Sequence, residues 1–90
     1  MAGAQSGVAM PYYFFFWTDE IIEHLGEHGV SREDFERVVS SPDDVRTSRS
    51  SDLPAAFGYT EDGRYITAVY DYLDDVTILP VTAYEVPEPR

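Results

Sequence analysis

An α+β domain is what this 90-residue sequence predicts, and three observations carry the expectation. An unbroken aromatic run, Tyr12-Tyr13-Phe14-Phe15-Phe16-Trp17, leaves no position for a polar face, as in a strand. Two short segments with apolar residues at helical spacing follow, each preceded by a hydroxyl side chain suited to a helix N-cap. The second half alternates β-branched and aromatic residues with polar ones and is punctuated by turn-forming Asp-Gly and Asp-Asp pairs. Helices grouped before a run of strands predict a helix pair covering one face of an antiparallel sheet.

The elements follow in order. Met1 to Pro11 are small and polar and are expected to be disordered, with one domain over 12–86 and a polar tail over 87–90. Tyr12 to Trp17 reads as a strand covered on both sides, or covered on one side and paired with a partner on the other. Thr18 is a candidate N-cap, with Asp19 and Glu20 in the first turn where the helix dipole favours them. Trp17 and Ile22 occupy staple positions, and Ile21, Ile22 and Leu25 form the apolar stripe. Gly29 is the stop, because glycine takes a left-handed C′ conformation most readily.

Ser31 caps the second helix, with Val30 and Phe35 in a second staple and Phe35, Val38 and Val39 as its stripe. Pro42 ends it by disfavouring a helical residue before it. A short strand is expected around Val45 to Ser48. "AAFGYT" and "RYITAVYDY" then flank the Asp62-Gly63 hairpin signal, and "VTILPVTAY" is the last strand, bulged or at an edge because Pro80 has no N–H. The whole is an N-terminal strand, a two-helix hairpin and an antiparallel meander of three or four strands.

Composition excludes several chemistries. There is no cysteine, hence no disulfide framework, thiolate zinc site or cysteine nucleophile. Seventeen acidic residues oppose six arginines and no lysine, for a net charge of −11. Such a field repels phosphate backbones, so nucleic acid is an unfavoured partner and a basic protein a favoured one. The six-residue aromatic run is far short of the roughly 20 residues a membrane helix needs. "MAGAQSGVAMP" lacks the basic and apolar regions of a secretory signal, and a cytoplasmic location is expected.

His24 and His28 lie four residues apart on one helix face, the spacing of a two-histidine metal site. No third ligand accompanies them, and His28 in a last helical turn suits capping of free carbonyls, so no metal and no cofactor is expected. The acidic turns at Glu61-Asp62 and at Asp71 and Asp74-Asp75 lack the spacing of a calcium loop. For metal-free RNA cleavage, Arg64, Arg46 and Arg49 are candidate charge donors, and His28, Tyr84 and Tyr70 candidate acids or bases.

Several short words resemble the BrnT family of toxins, which share the RelE-like fold. Phe15-Phe16-Trp17 is similar to the family's F-x-W opening, and His28-Gly29-Val30-Ser31 with Glu33, Asp34 and Phe35 to its H-G-V-S/T and following helix. Phe57-Gly58-Tyr59-Thr60 and Gly63-Arg64 are similar to its strand, turn and G-R, and Thr82-Ala83 to an S-A pair in the last strand. The resemblance implies a ribonuclease toxin held by an antitoxin, with Arg64, His28 and Tyr84 as the catalytic candidates. The sequence departs from the family where arginines follow the S-A pair, since Tyr84 and Glu85 stand there. It has no lysine, and Pro87 and Pro89 interrupt the region of the family's basic C-terminal helix. The expectation is therefore a diverged member that binds protein without catalysis, through an antitoxin-like basic partner or through a homodimer at the aromatic strand. A ribonuclease toxin is the alternative.

Overall fold

The computed structural model describes residues 13–89, so the expectation of disorder over 1–11 lies outside the described residues, as do Tyr12 and Arg90. Strand β1 (Phe14–Phe15) leads into helices α1 (Asp19–Glu27) and α2 (Arg32–Ser40), followed by β2 (Asp44–Thr47), β3 (Pro54–Tyr59), β4 (Tyr65–Tyr72) and β5 (Thr77–Glu85). The five strands form one mixed sheet in the order β1-β5-β4-β3-β2. β2 to β5 are an antiparallel meander, and β1 joins its far edge parallel to β5, with Phe14 beside Thr77 and Phe15 beside Ile78. The expected α+β architecture is present, with all four meander strands.

Local chemistry sets the helix ends. The Thr18 hydroxyl accepts from the Ile21 N–H at 3.2 Å and the Ser31 hydroxyl from the Asp34 N–H at 3.1 Å, each satisfying one otherwise unpaired donor. At the end of α1, Gly29 has φ +75° and donates to the Gly26 carbonyl, while Val30 donates to the Leu25 carbonyl. This paired arrangement is a Schellman motif, and its usual apolar contact falls to Leu25 and Val30, both in the core. Val30 thus closes one helix and staples the next, which is why four residues suffice to join them.

The core lies between the helix pair and one sheet face. Leu25, Phe35, Val38 and Val39 meet Ala56, Ile66, Ala68, Tyr70, Ile78 and Ala83. Phe35 is at its centre, fully buried, with the Trp17 ring edge-on at 5.4 Å and the Phe15 ring at 6.3 Å. Gly58 lets α2 approach β3 closely: a side chain there would meet the Val38 methyls at 3.4 Å.

One sequence reading is narrowed and one corrected. Of the two alternatives for the aromatic run, coverage on both sides is excluded and coverage on one side is what is seen: Phe15 and Trp17 pack on the core, whereas Phe14 is 69% and Phe16 54% exposed. The strand is short because Thr18 starts a helix at once. In α1, Ile21 packs against the core and Ile22 is exposed, since the helix presents Ile21 and Leu25, four residues apart, to the sheet. Pro80 behaves as expected: Val69 pairs with Thr82 and Tyr70 with Pro80, so Val81 is the extra residue of a bulge.

The β4–β5 turn is held by Asp74, whose carboxylate accepts from the Val76 N–H at 3.0 Å and the Thr77 N–H at 2.8 Å. These bonds, Val76 first, hold its pKa below the ordinary carboxylate value. Asp62 is lowered in the same direction by a hydrogen bond from Thr60 and then by Arg64. A lowered folded pKa means stability present above the ordinary value and lost as pH falls through the folded value. In acid titrations followed by circular dichroism between about pH 5 and about pH 2, Asp74→Asn is expected to flatten the loss of stability. An unchanged acid limb would show that the turn does not feel the carboxylate.

Candidate functional site

The catalytic candidates from the sequence fall in different places. Arg64 leaves the β3–β4 turn, where Gly63 takes φ +89°, and its guanidinium reaches back to the helix joint. Nε donates to Asp62 at 3.1 Å, and Nη2 lies 3.7 Å from Asp34 near the start of α2. Nη1 sits so close to Gly29 that a Cβ there would meet it at 3.1 Å. Asp34 also accepts from the Glu61 N–H at 3.3 Å. Thr60 completes the knot, donating its hydroxyl proton to Asp62 and accepting from the Arg64 N–H. Arg64 is thus compensated by two carboxylates and ties the turn to the start of α2, beside the joint between the helices.

His28 is the C-cap residue of α1, and its backbone N–H, not the imidazole expected to cap free carbonyls, donates to the Leu25 carbonyl. Its ring lies 5.2 Å from that of His24 and 6.3 Å from that of Tyr84. His24 Nε2 shares a 2.9 Å hydrogen bond with the Thr82 hydroxyl, pinning α1 to β5. All three rings are exposed. Among the described residues, no group of three or more ligating side chains gathers for a metal ion. The hollow beside Arg64 is lined by Ser31, Glu33, Asp34, Glu61 and Asp62, whereas Tyr84 faces a different one; His28 lines neither. Arg46 pairs with Asp44 at 2.8 Å and lies 5.7 Å above the Phe57 ring; with Arg49 it borders the Tyr84 hollow. Tyr70 is in the core.

A second assembly stands at the opposite end of the sheet. β1 is an edge strand, paired on one side through Phe14 N–H to Val76 and Phe16 N–H to Ile78, both at 2.8 Å. Phe14 and Phe16, two apart, project on the side away from the core. Tyr72, the last residue of β4, and Leu73 and Val76 in the turn that follows are 45%, 53% and 44% exposed. Asp71, Asp74 and Asp75 alternate with them along the chain. The sequence marks the aromatic strand as a possible pairing surface but not Leu73 and Val76, because a turn gives no periodicity to read. Trp17 was also read only as packing; its indole N–H donates to Glu36 at 2.8 Å, fixing the entry to α1 against α2.

The chain matches no family model, no curated protein and no solved structure. Among the described residues, no helix is long and apolar enough to cross a membrane.

Proposed function

We propose that this chain is a binding module, a diverged BrnT/RelE-like domain of the cytoplasm that engages a basic, antitoxin-type protein without catalysis. The observation that carries the reading is the open β1 edge. It combines backbone groups that are unpaired among the described residues, two large exposed aromatics and an acidic turn in one place. An edge strand offers hydrogen bonds to a partner, exposed aromatics supply anchors, and carboxylates around them select a cationic surface. A net charge of −11 opposes pairing of two copies and favours the basic partner over the homodimer. Arg64, compensated by Asp34 and Asp62, is poorly disposed to neutralise a phosphorane, which weighs against the ribonuclease reading.

Photo-crosslinking from Tyr72 in the native host, with mass-spectrometric mapping of adducts, tests this. Adducts to one protein of positive net charge are expected, and Phe14→Asp with Phe16→Asp is expected to weaken that complex at least about tenfold. Adducts only to a second copy of the chain would replace this reading with the homodimer. Growth arrest on induction in a bacterial host, relieved by Arg64→Ala, would replace it with the ribonuclease.

A further inference from the structure

The sheet face turned away from the helices is also partly covered. Ala55, Tyr65, Thr67 and Val69 lie outside the core cluster, yet are exposed by only 4%, 7%, 3% and 4%. Register explains it. Across the sheet, Thr67 stands between Phe57 on β3 and Tyr84 on β5, and Val69 between Ala55 and Thr82. Small side chains therefore form a floor, with Phe57 and Tyr84 as walls. The β2–β3 turn, where Asp52 takes φ +61°, brings Arg49 beside Arg46 at the rim. The result is a groove of about 380 Å³ with a predominantly apolar lining, within the size range of small-ligand sites.

One atom in this groove is unexplained by the fold. The Thr67 hydroxyl is buried and has no hydrogen-bond partner among the described residues. Buried polar side chains are usually satisfied, so an orphan on the floor of a groove marks a place where a partner is missing. Rotation about the Thr67 Cα–Cβ bond is the movement that would turn the hydroxyl to an occupant. Two guanidiniums at the rim of so acidic a chain are the second mark. Arg49 makes no ion pair within 4.0 Å among the described residues, and Arg46 has only the exposed Asp44.

We propose that this groove binds a small organic monoanion: a flat apolar body with a carboxylate at Arg46 and Arg49 and a second polar group at the Thr67 hydroxyl. The flat body fits between Phe57 and Tyr84. A single negative charge matches the two guanidiniums, whereas a polyanion would face the field of the remaining carboxylates. The site is separate from the β1 edge: it spans strands β2 to β5 and meets β5 at Tyr84, seven residues along that strand from Phe14's neighbour Thr77.

Nitrogen–proton NMR titration with 4-hydroxyphenylacetate, its neutral amide and phenylacetate tests the proposal. Saturable shifts at Ala55, Phe57, Thr67 and Val69 are expected below about 10 mM hydroxy acid. The amide and phenylacetate should each bind at least about fivefold more weakly, as should the hydroxy acid to the Arg46→Ala, Arg49→Ala double variant. Thr67→Val has nearly the same shape and should abolish the preference for the hydroxylated acid, a change that a purely structural role for Thr67 would not produce. Absent or scattered shifts overturn the proposal. So does an amide that binds as well as the acid, or a hydroxyl preference that survives Thr67→Val.

Discussion

Phe35→Ala is expected to lower the unfolding free energy by about 3–5 kcal/mol, through lost transfer energy and the cavity left behind. Phe35 is fully buried, and the rings of Trp17 and Phe15 lean edge-on against it. Those rings are anchored elsewhere, Trp17 by Glu36 and the Phe15 backbone by its place beside Ile78, so neither is free to fill the space. A small domain has only about 5–15 kcal/mol in total, and each kcal/mol moves the midpoint by about 4–8 °C. Thermal unfolding should therefore shift down by about 12–40 °C, or leave the variant unfolded at room temperature. Phe35→Leu keeps most of the volume and should cost less than half as much. A loss below about 1 kcal/mol for Phe35→Ala would mean that the helix pair is not clamped to the sheet as described.

The same residue shows what can be read from sequence. Phe35, Val38 and Val39 reveal themselves by spacing, and Thr18, Gly29 and Ser31 by side-chain chemistry that acts within four residues. Asp62-Gly63 and Pro80 likewise declare a turn and a bulge locally. What stays hidden is whatever depends on distant partners. Nothing in Phe14-Phe15 announces that it runs parallel to Thr77-Ile78, because a two-residue ladder has no periodicity. Nor does the alternation of β3, β4 and β5 announce that Ala55, Thr67 and Val69 line one groove, since that depends on relative register. Ile22 was misread for a related reason: at positions 21 and 22 either isoleucine fits an amphipathic pattern, and only the direction of the sheet decides between them. For the candidate site, charge counting pointed away from phosphate chemistry, but the use of Arg64 appears only when residues 29, 34 and 62 are seen around it.

Gly29→Val is expected to cost about 2–3 kcal/mol, because a β-branched residue is strained at positive φ and the backbone motif closing α1 depends on that angle. Backbone strain is only part of the cost. A Cβ at Gly29 would sit 3.1 Å from Arg64 Nη1, so the guanidinium must yield and its contact with Asp34 must loosen. Arg64→Ala alone should be milder, about 1 kcal/mol, since the Asp62 carboxylate is exposed and only the Asp34 pair is partly shielded. The two changes should not add. In the Arg64→Ala background there is no guanidinium to displace, and Gly29→Val should cost less by at least about 0.5 kcal/mol. Chemical denaturation of the four proteins in the cycle reads this coupling directly. Additive costs would place Arg64 outside the joint and free it for other work, which would revive the ribonuclease alternative. A coupled pair means that the arginine most suggestive of chemistry is committed to holding the β3–β4 turn against the junction of the two helices.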